Sequence, residues 1–200
     1  MGSAAMSDQF RNFVEPPWDE RLDVAGVLGQ IPESASIAGM FFLALAVGAE
    51  RRQVELAMPR PRYVPFSFYP VREFVPLLVA GAGLFHPHSS LREGLRRIGS
   101  VAPEAFLSST LGRVTLGVSE GVHATVSAIA KTYAINTRPS RCAVTKTEPR
   151  AMVVSLDDVW YFLDSHHVGV FEGTLEHAGV HGRVRLHRRS ETAADFLLEW

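Results

Sequence analysis

The spacing of apolar residues changes once along this chain, near residue 136, and that change limits the folds open to it. Before it, apolar side chains recur every three or four positions; after it, they recur every second position. Ile37, Met40, Phe41, Ala44, Leu45 and Ala49 trace a helical stripe within 37–54, started by Pro32 and Ser34 and closed by Glu50-Arg51-Arg52. A second helix is expected over 71–85, with Pro70 at its start, Glu73 near its positive end, Pro76 in its first turns and Pro87 as its stop. Ser90-Leu91-Arg92-Glu93 has the spacing of a capping box. It opens a third helix with Leu91, Leu95 and Ile98 inward and Arg92 and Arg96 outward. Pro103 is expected to break that helix and start another, carrying Phe106, Leu107, Thr110, Leu111 and Val114. Val122, Val126, Ile129, Ala130 and Tyr133 place a further helix over 120–135.

Past residue 136, segments 143–147 and 151–156 read as strands about a Glu148-Pro149-Arg150 turn. Segment 167–177 reads as a short helix stopped by Gly179. Segments 183–187 and 195–200 alternate, the second with Phe196, Leu198 and Trp200 on one face. Helices first and strands later predict an α+β fold, its helical N-terminal two-thirds packed on a C-terminal antiparallel sheet of about four strands. Residues 21–28 alternate in part and are expected as a short strand or extended arm. Between the first two helices, Pro59, Pro61, Pro65 and Pro70 impose extended backbone. Phe66, Phe68 and Tyr69 make that connector aromatic enough to lie across the core.

Composition narrows the class. The 200 residues carry 20 Lys and Arg against 21 Asp and Glu, which argues against a nucleic-acid binder. A single Cys excludes a disulfide framework and fits a reducing compartment, so a cytoplasmic protein is expected. Residues 1–5 read as an expression scar before Met6, leaving 6–200 as a single domain. The longest uncharged run, 34–49, falls short of a membrane span and reads as a buried helix.

Candidate chemistry is sparse. Gly117-Val118-Ser119-Glu120-Gly121 matches the nucleophile-elbow string, with Asp157, Asp158, Asp164, His166 and His167 downstream in hydrolase order. The elbow needs a parallel sheet beneath its serine, and the helical sequence ahead of it offers none; Ser119 then reads as a helix cap. His86, His88, His166, His167, His177 and His181 are expected at the surface or in loops, with no metal site among them. Glu172 and Glu176 lie one turn apart, the spacing of a solvated face rather than a catalytic pair. Cys142 reads as a buried strand residue, and Arg183, Arg185, Arg188 and Arg189 as charges on an edge strand. Phe68, Tyr69, Arg72, Arg97 and His86 are the candidate ligand-binding residues, joining aromatic surface to guanidinium forks near a proline-fixed bend. No motif calls for a cofactor.

Phe68-Tyr69-Pro70, Leu95-Arg96-Arg97-Ile98-Gly99, Phe106 with Thr110-Leu111-Gly112, Gly169-Val170-Phe171-Glu172-Gly173 and the closing Phe196 and Trp200 together resemble a paralogous family of uncharacterised proteins expanded in myxobacteria. The order of elements is also similar to the superfamily of vinyl-reductase-type, haem-nitric-oxide-binding and transport-particle domains. That resemblance implies helices against an antiparallel sheet, a homodimer, and a small apolar or aromatic ligand between the two layers. The expected function is therefore a non-enzymatic signalling module that binds a protein partner or a small hydrophobic ligand. A serine hydrolase using Ser119 and a haem- or tetrapyrrole-binding sensor are the alternatives.

Overall fold

The computed structural model describes residues 10–17, 21–107 and 121–200. Among these residues six helices and seven strands follow in order: α1 (Val24–Gln30), β1 (Ser36–Ala38), α2 (Gly39–Arg51), β2 (Phe68–Pro70), α3 (Val71–Phe85), α4 (Leu91–Leu107), α5 (Val122–Asn136), β3 (Thr137–Arg138), β4 (Arg141–Glu148), β5 (Ala151–Asp157), α6 (His166–His177), β6 (Arg183–Ser190) and β7 (Ala193–Glu199). The architecture is the expected α+β one. Two hairpins, β4–β5 and β6–β7, join through β5 and β7 into an antiparallel sheet of order β4-β5-β7-β6. Period-two alternation gives it two faces. Val154, Leu156, Leu186, Phe196 and Leu198 face the helices in the main core. Val153 and Leu197 face the other way, under Phe10. Helix α6 lies between that sheet and α4.

Four local readings are corrected. Residues 21–28 contain no strand; α1 starts there, capped by the Asp23 carboxylate, which accepts the Gly26 amide at 2.9 Å. Ile37 lies in β1 rather than in a helix, at the centre of a small sheet of order β2-β1-β3. Its β-branched side chain suits that buried strand position. Helix α4 runs on through Pro103, which removes one backbone bond without ending the helix. Arg92, placed outward by its spacing, is 6% exposed and pairs with Asp164 at 2.9 Å. The expected apolar face over 106–114 lies largely outside the described residues.

The proline-rich connector forms no helix, as anticipated, but it is not extended throughout: it bends at 59–61 and turns at 65–66, and it reaches the core through two tyrosines. Tyr63 stacks on Phe42 with ring centroids 4.3 Å apart, and Tyr69 meets both edge-on. Phe66 remains 60% exposed. Among the described residues no helix is long and apolar enough to cross a membrane.

Candidate functional site

A cavity of about 130 Å³ opens among α2, α3, α4, α5 and α6, lined almost wholly by apolar side chains. Phe41 and Leu45 come from α2, Phe74 and Leu78 from α3, Ile98 and Val101 from α4. These positions follow the helical period, so the stripes that make the core also make the cavity wall. Its size approaches the roughly 150 Å³ of a dry cavity that takes a single benzene ring. Arg52 stands on the wall with its guanidinium over the Phe85 ring, 4.9 Å from the centroid.

The polar groups gather on one side, where α5, α6 and the loop before α6 meet. Tyr133, Tyr161 and His166 line the cavity, and His167 sits behind them. The proton order follows from the acceptors. His167 Nδ1 lies 3.2 Å from the Phe162 carbonyl, which can only accept, so Nδ1 carries the hydrogen. Nε2 is then the acceptor for the Tyr133 hydroxyl at 3.0 Å. Tyr161 stands beside the pair, its ring centroid 5.0 Å from that of His167. Burial drives both phenols upward, Tyr161 to about 12, so both keep their protons at neutral pH.

His166 is arranged differently. Its Nδ1 is buried with no hydrogen-bond partner. Burial lowers the His166 pKa to about 4 and that of His167 to about 3, so both rings are neutral at pH 7. This corrects the expectation that the adjacent histidines lie at the surface. They are 9% and 1% exposed. Phe162 supports the arrangement with a left-handed backbone, φ 47°, and a carbonyl that receives the amides of Ser165 and His167 as well as the His167 ring.

None of the five ligand-binding candidates lies on the cavity wall: four fall at the two ends of α3, and Arg97 lies on α4. Phe68 and Tyr69 in β2 and Arg72 in the first turn lie at one end; His86 caps the other, about 22 Å away for a 15-residue helix. Phe68 lies under the Arg138 guanidinium at 3.8 Å, and the Tyr69 hydroxyl accepts the Val64 amide at 2.9 Å. Arg72 Nε donates to the Ile31 carbonyl at 2.7 Å. Arg97 pairs with Glu93 at 2.8 Å, and its charge, with that of Arg52, adds to the partial burial that lowers the His86 pKa. Glu172 forms a two-pronged pair with Arg96, at 2.6 and 2.9 Å. Burial raises the Cys142 thiol to about 12, which keeps it protonated and unreactive at pH 7.

Ser119 lies outside the described residues. All strand pairings among the described residues are antiparallel, so they build no sheet of the kind a nucleophile elbow needs. Among them no three His, Cys, Asp or Glu side chains converge as a metal-binding group. The cavity itself went unread in the sequence. Tyr133 and His167 were each visible as residues, but no local signal brings positions 34 apart in the chain into one hydrogen bond.

Residues 30–200 match the family described as Protein of unknown function (DUF2378). No curated protein matches the chain in sequence. Solved H-NOX proteins match it in fold. One from S. oneidensis, a variant in the Fe(II) ligation state, gives a TM-score of 0.64 at 11% identity, covering 82% of this chain and 95% of that one. Cs H-NOX carrying 4-cyano-L-phenylalanine gives 0.63 at 11% identity, covering 82% and 96%. The Fe(II) unliganded H-NOX protein from K. algicida gives 0.55 at 14% identity, again covering 82% and 96%.

Proposed function

The chain belongs to the DUF2378 family, whose description assigns no activity, and we propose a function from its cavity: a non-catalytic module that binds a small apolar molecule between its helices. The single observation that carries this is the apolar cavity of about 130 Å³ with a polar cluster on one wall. Small-molecule sites have this composition: mostly apolar lining and a few placed polar groups. The shared fold supports the same reading, since one of the H-NOX structures similar to this chain addresses haem distortion in the H-NOX family.

Haem itself does not suit these residues. A tetrapyrrole needs a slot of at least the roughly 300–1,000 Å³ class that drug-sized ligands occupy, well above the volume here. Of the two buried histidines, His167 has both ring nitrogens engaged, and the His166 Nδ1 is buried rather than open to the cavity. The ligand we propose is therefore smaller than the one named for the H-NOX structures.

Toluene tests the reading as a minimal probe. Saturating toluene is expected to raise the melting temperature by a few degrees through linkage, and Ala44→Trp, at the cavity wall, to abolish the rise. An unchanged melting temperature in wild type would refute the binding site. Added haemin is expected to give no bound-haem Soret band; a stable band with one haem per chain would return the haem sensor to first place. The reading extends to a homodimer covering Val47, Leu84 and Val101, which α2, α3 and α4 leave exposed. Light scattering should then read twice 22.0 kDa, and a monomer would remove the dimer while leaving the cavity untouched.

A further inference from the structure

The cavity has a dry end and a wet end, and the wet end carries a cation. Ala44 and Arg52 on its wall are exposed, whereas Phe74, Leu78 and Tyr161 are buried. Of the described residues that line it, Arg52 is the one charged at pH 7, since burial keeps His166 neutral. The Arg52 side chain is held at the C-terminal end of α2. Its Nη1 donates to the Gly48 carbonyl at 3.2 Å, and its guanidinium covers the Phe85 ring. Closing the helix end accounts for Nη1 alone. Among the described residues no carboxylate or other acceptor meets Nε or Nη2. That edge is the one by which two other arginines of this chain take carboxylates. Arg60 grips Glu73 through Nε and Nη2 at 2.8 and 2.6 Å, and Arg96 grips Glu172 in the same way at 2.6 and 2.9 Å.

We propose that the cavity takes a monocarboxylic acid built on one apolar ring, an arylalkanoic acid in chemical class, with the ring between the helices and the carboxylate on the Nε–Nη2 edge of Arg52. The proposal rests on the apolar-ligand reading above and makes it specific. Two costs fix the orientation. A carboxylate driven among Phe74, Leu78 and Ile98 would lose its water away from the one cation on the wall. A ring left at the mouth would keep its apolar surface wet. One ring suits about 130 Å³, so the anionic end falls at the exposed end, where Arg52 stands. A neutral guest leaves the Arg52 edge unmet, and a cationic guest meets like charge. The ion pair lies partly in water, so it adds selectivity to an affinity that the ring supplies.

3-Phenylpropionate and 3-phenylpropanamide have nearly the same shape and differ in charge, so the pair isolates the Arg52 contact. Binding of both to the full chain is measured by calorimetry at neutral pH, with toluene as the reference for the cavity itself. Wild type is expected to bind the acid about fivefold more tightly than the amide, with the margin shrinking as sodium chloride is raised. Arg52→Gln should bring the two to equal affinity. Arg52→Lys, which keeps the charge without the fork, should retain part of the margin. Ring placement is read in wild type from NMR contacts between the ring protons of the bound acid and the Leu78 methyl groups. If the amide binds as well as the acid, or if the margin survives Arg52→Gln, the carboxylate site is wrong while toluene binding keeps the apolar cavity. A margin without the Leu78 contacts makes Arg52 a surface cation and overturns the proposal too. Toluene binding alone removes only the acid. If toluene, acid and amide all fail to bind, the cavity reading falls and takes this one with it. Should Arg52→Gln not fold, a margin in wild type that ignores salt overturns the proposal by itself.

Discussion

At the scale of single residues, burial decides what His166 and His167 are. Both rings are held neutral, at about 4 and about 3, mainly by desolvation, with Tyr133 and Tyr161 rather than a carboxylate facing them. In the unfolded chain the same rings protonate as the pH falls through roughly 6.5. The folded state refuses those protons until near 4 and 3. Stability is therefore intact above pH 6.5 and declines as the pH falls below it, on the order of 1 kcal/mol per ring per pH unit. His86 is shifted in the same sense. The carboxylates held low by arginines, Glu73, Glu93 and Glu199, add their loss only at lower pH. Urea unfolding at pH 7.5, 6 and 5 should show the decline, and His167→Gln should flatten it; a level wild-type profile would contradict the burial. The sequence displayed the two histidines side by side, diverging by about 100° as adjacent helical positions do, which argued against a shared metal and left the surface as their expected place. Divergent rings can both be buried where a helix is enclosed on both sides. One ring meets the cavity wall and the other meets α5.

At the scale of elements, the contact that organises the helical layer is the crossing of α4 and α6. Glycines make it. A Cβ on Gly169 would strike the Arg96 carbonyl, one on Gly173 the Ser100 carbonyl, and one on Gly99 the His166 carbonyl. The two helices pack backbone to backbone, and Arg96 with Glu172 closes the crossing from outside. Gly173→Ala is expected to cost about 1–3 kcal/mol, as overpacking does. Gly83→Ala in α3, where nothing lies within 4 Å of the added methyl, should instead stabilise by roughly 0.4–1 kcal/mol. Chemical denaturation of the two variants compares them directly, and equal effects would mean that the crossing tolerates a methyl. The Gly169 to Gly173 segment stood out in the sequence as part of a resemblance. Its physical reason lies in residues of α4, some 70 positions earlier in the chain. The same distance explains Arg92: helical spacing turned it outward, and the loop carrying Asp164 arrives to bury it.

At the scale of the whole molecule, the sheet has two covered faces. The helices take one, and residues 10–17 cross the other. Phe10 packs on Ala151, Val153 and Leu197, and Val14 exchanges backbone bonds with Leu186 on the edge strand β6, at 2.8 and 2.9 Å. An edge that its four arginines alone were expected to protect is thus partly closed by the chain's own beginning. Phe10→Ala should destabilise by about 3 kcal/mol and raise light scattering on warming as Val153 and Leu197 come into water. Unchanged stability would show the arm to be a bystander.

Helices α2, α3 and α5, the β4–β5 hairpin, the two last strands, and the late helix with its stop at Gly179 were legible in the chain, because periodicity and turn chemistry are local and these side chains obeyed them. The three-residue strand β1 was not, since Ile37 continues a helical stripe and becomes a strand only by pairing with residues 69 and 137. The cavity and the Tyr133–His167 hydrogen bond on its polar side were decided by the tertiary structure alone. They depend on which side chains meet when five helices gather around one space, and no segment carries that information before the others arrive.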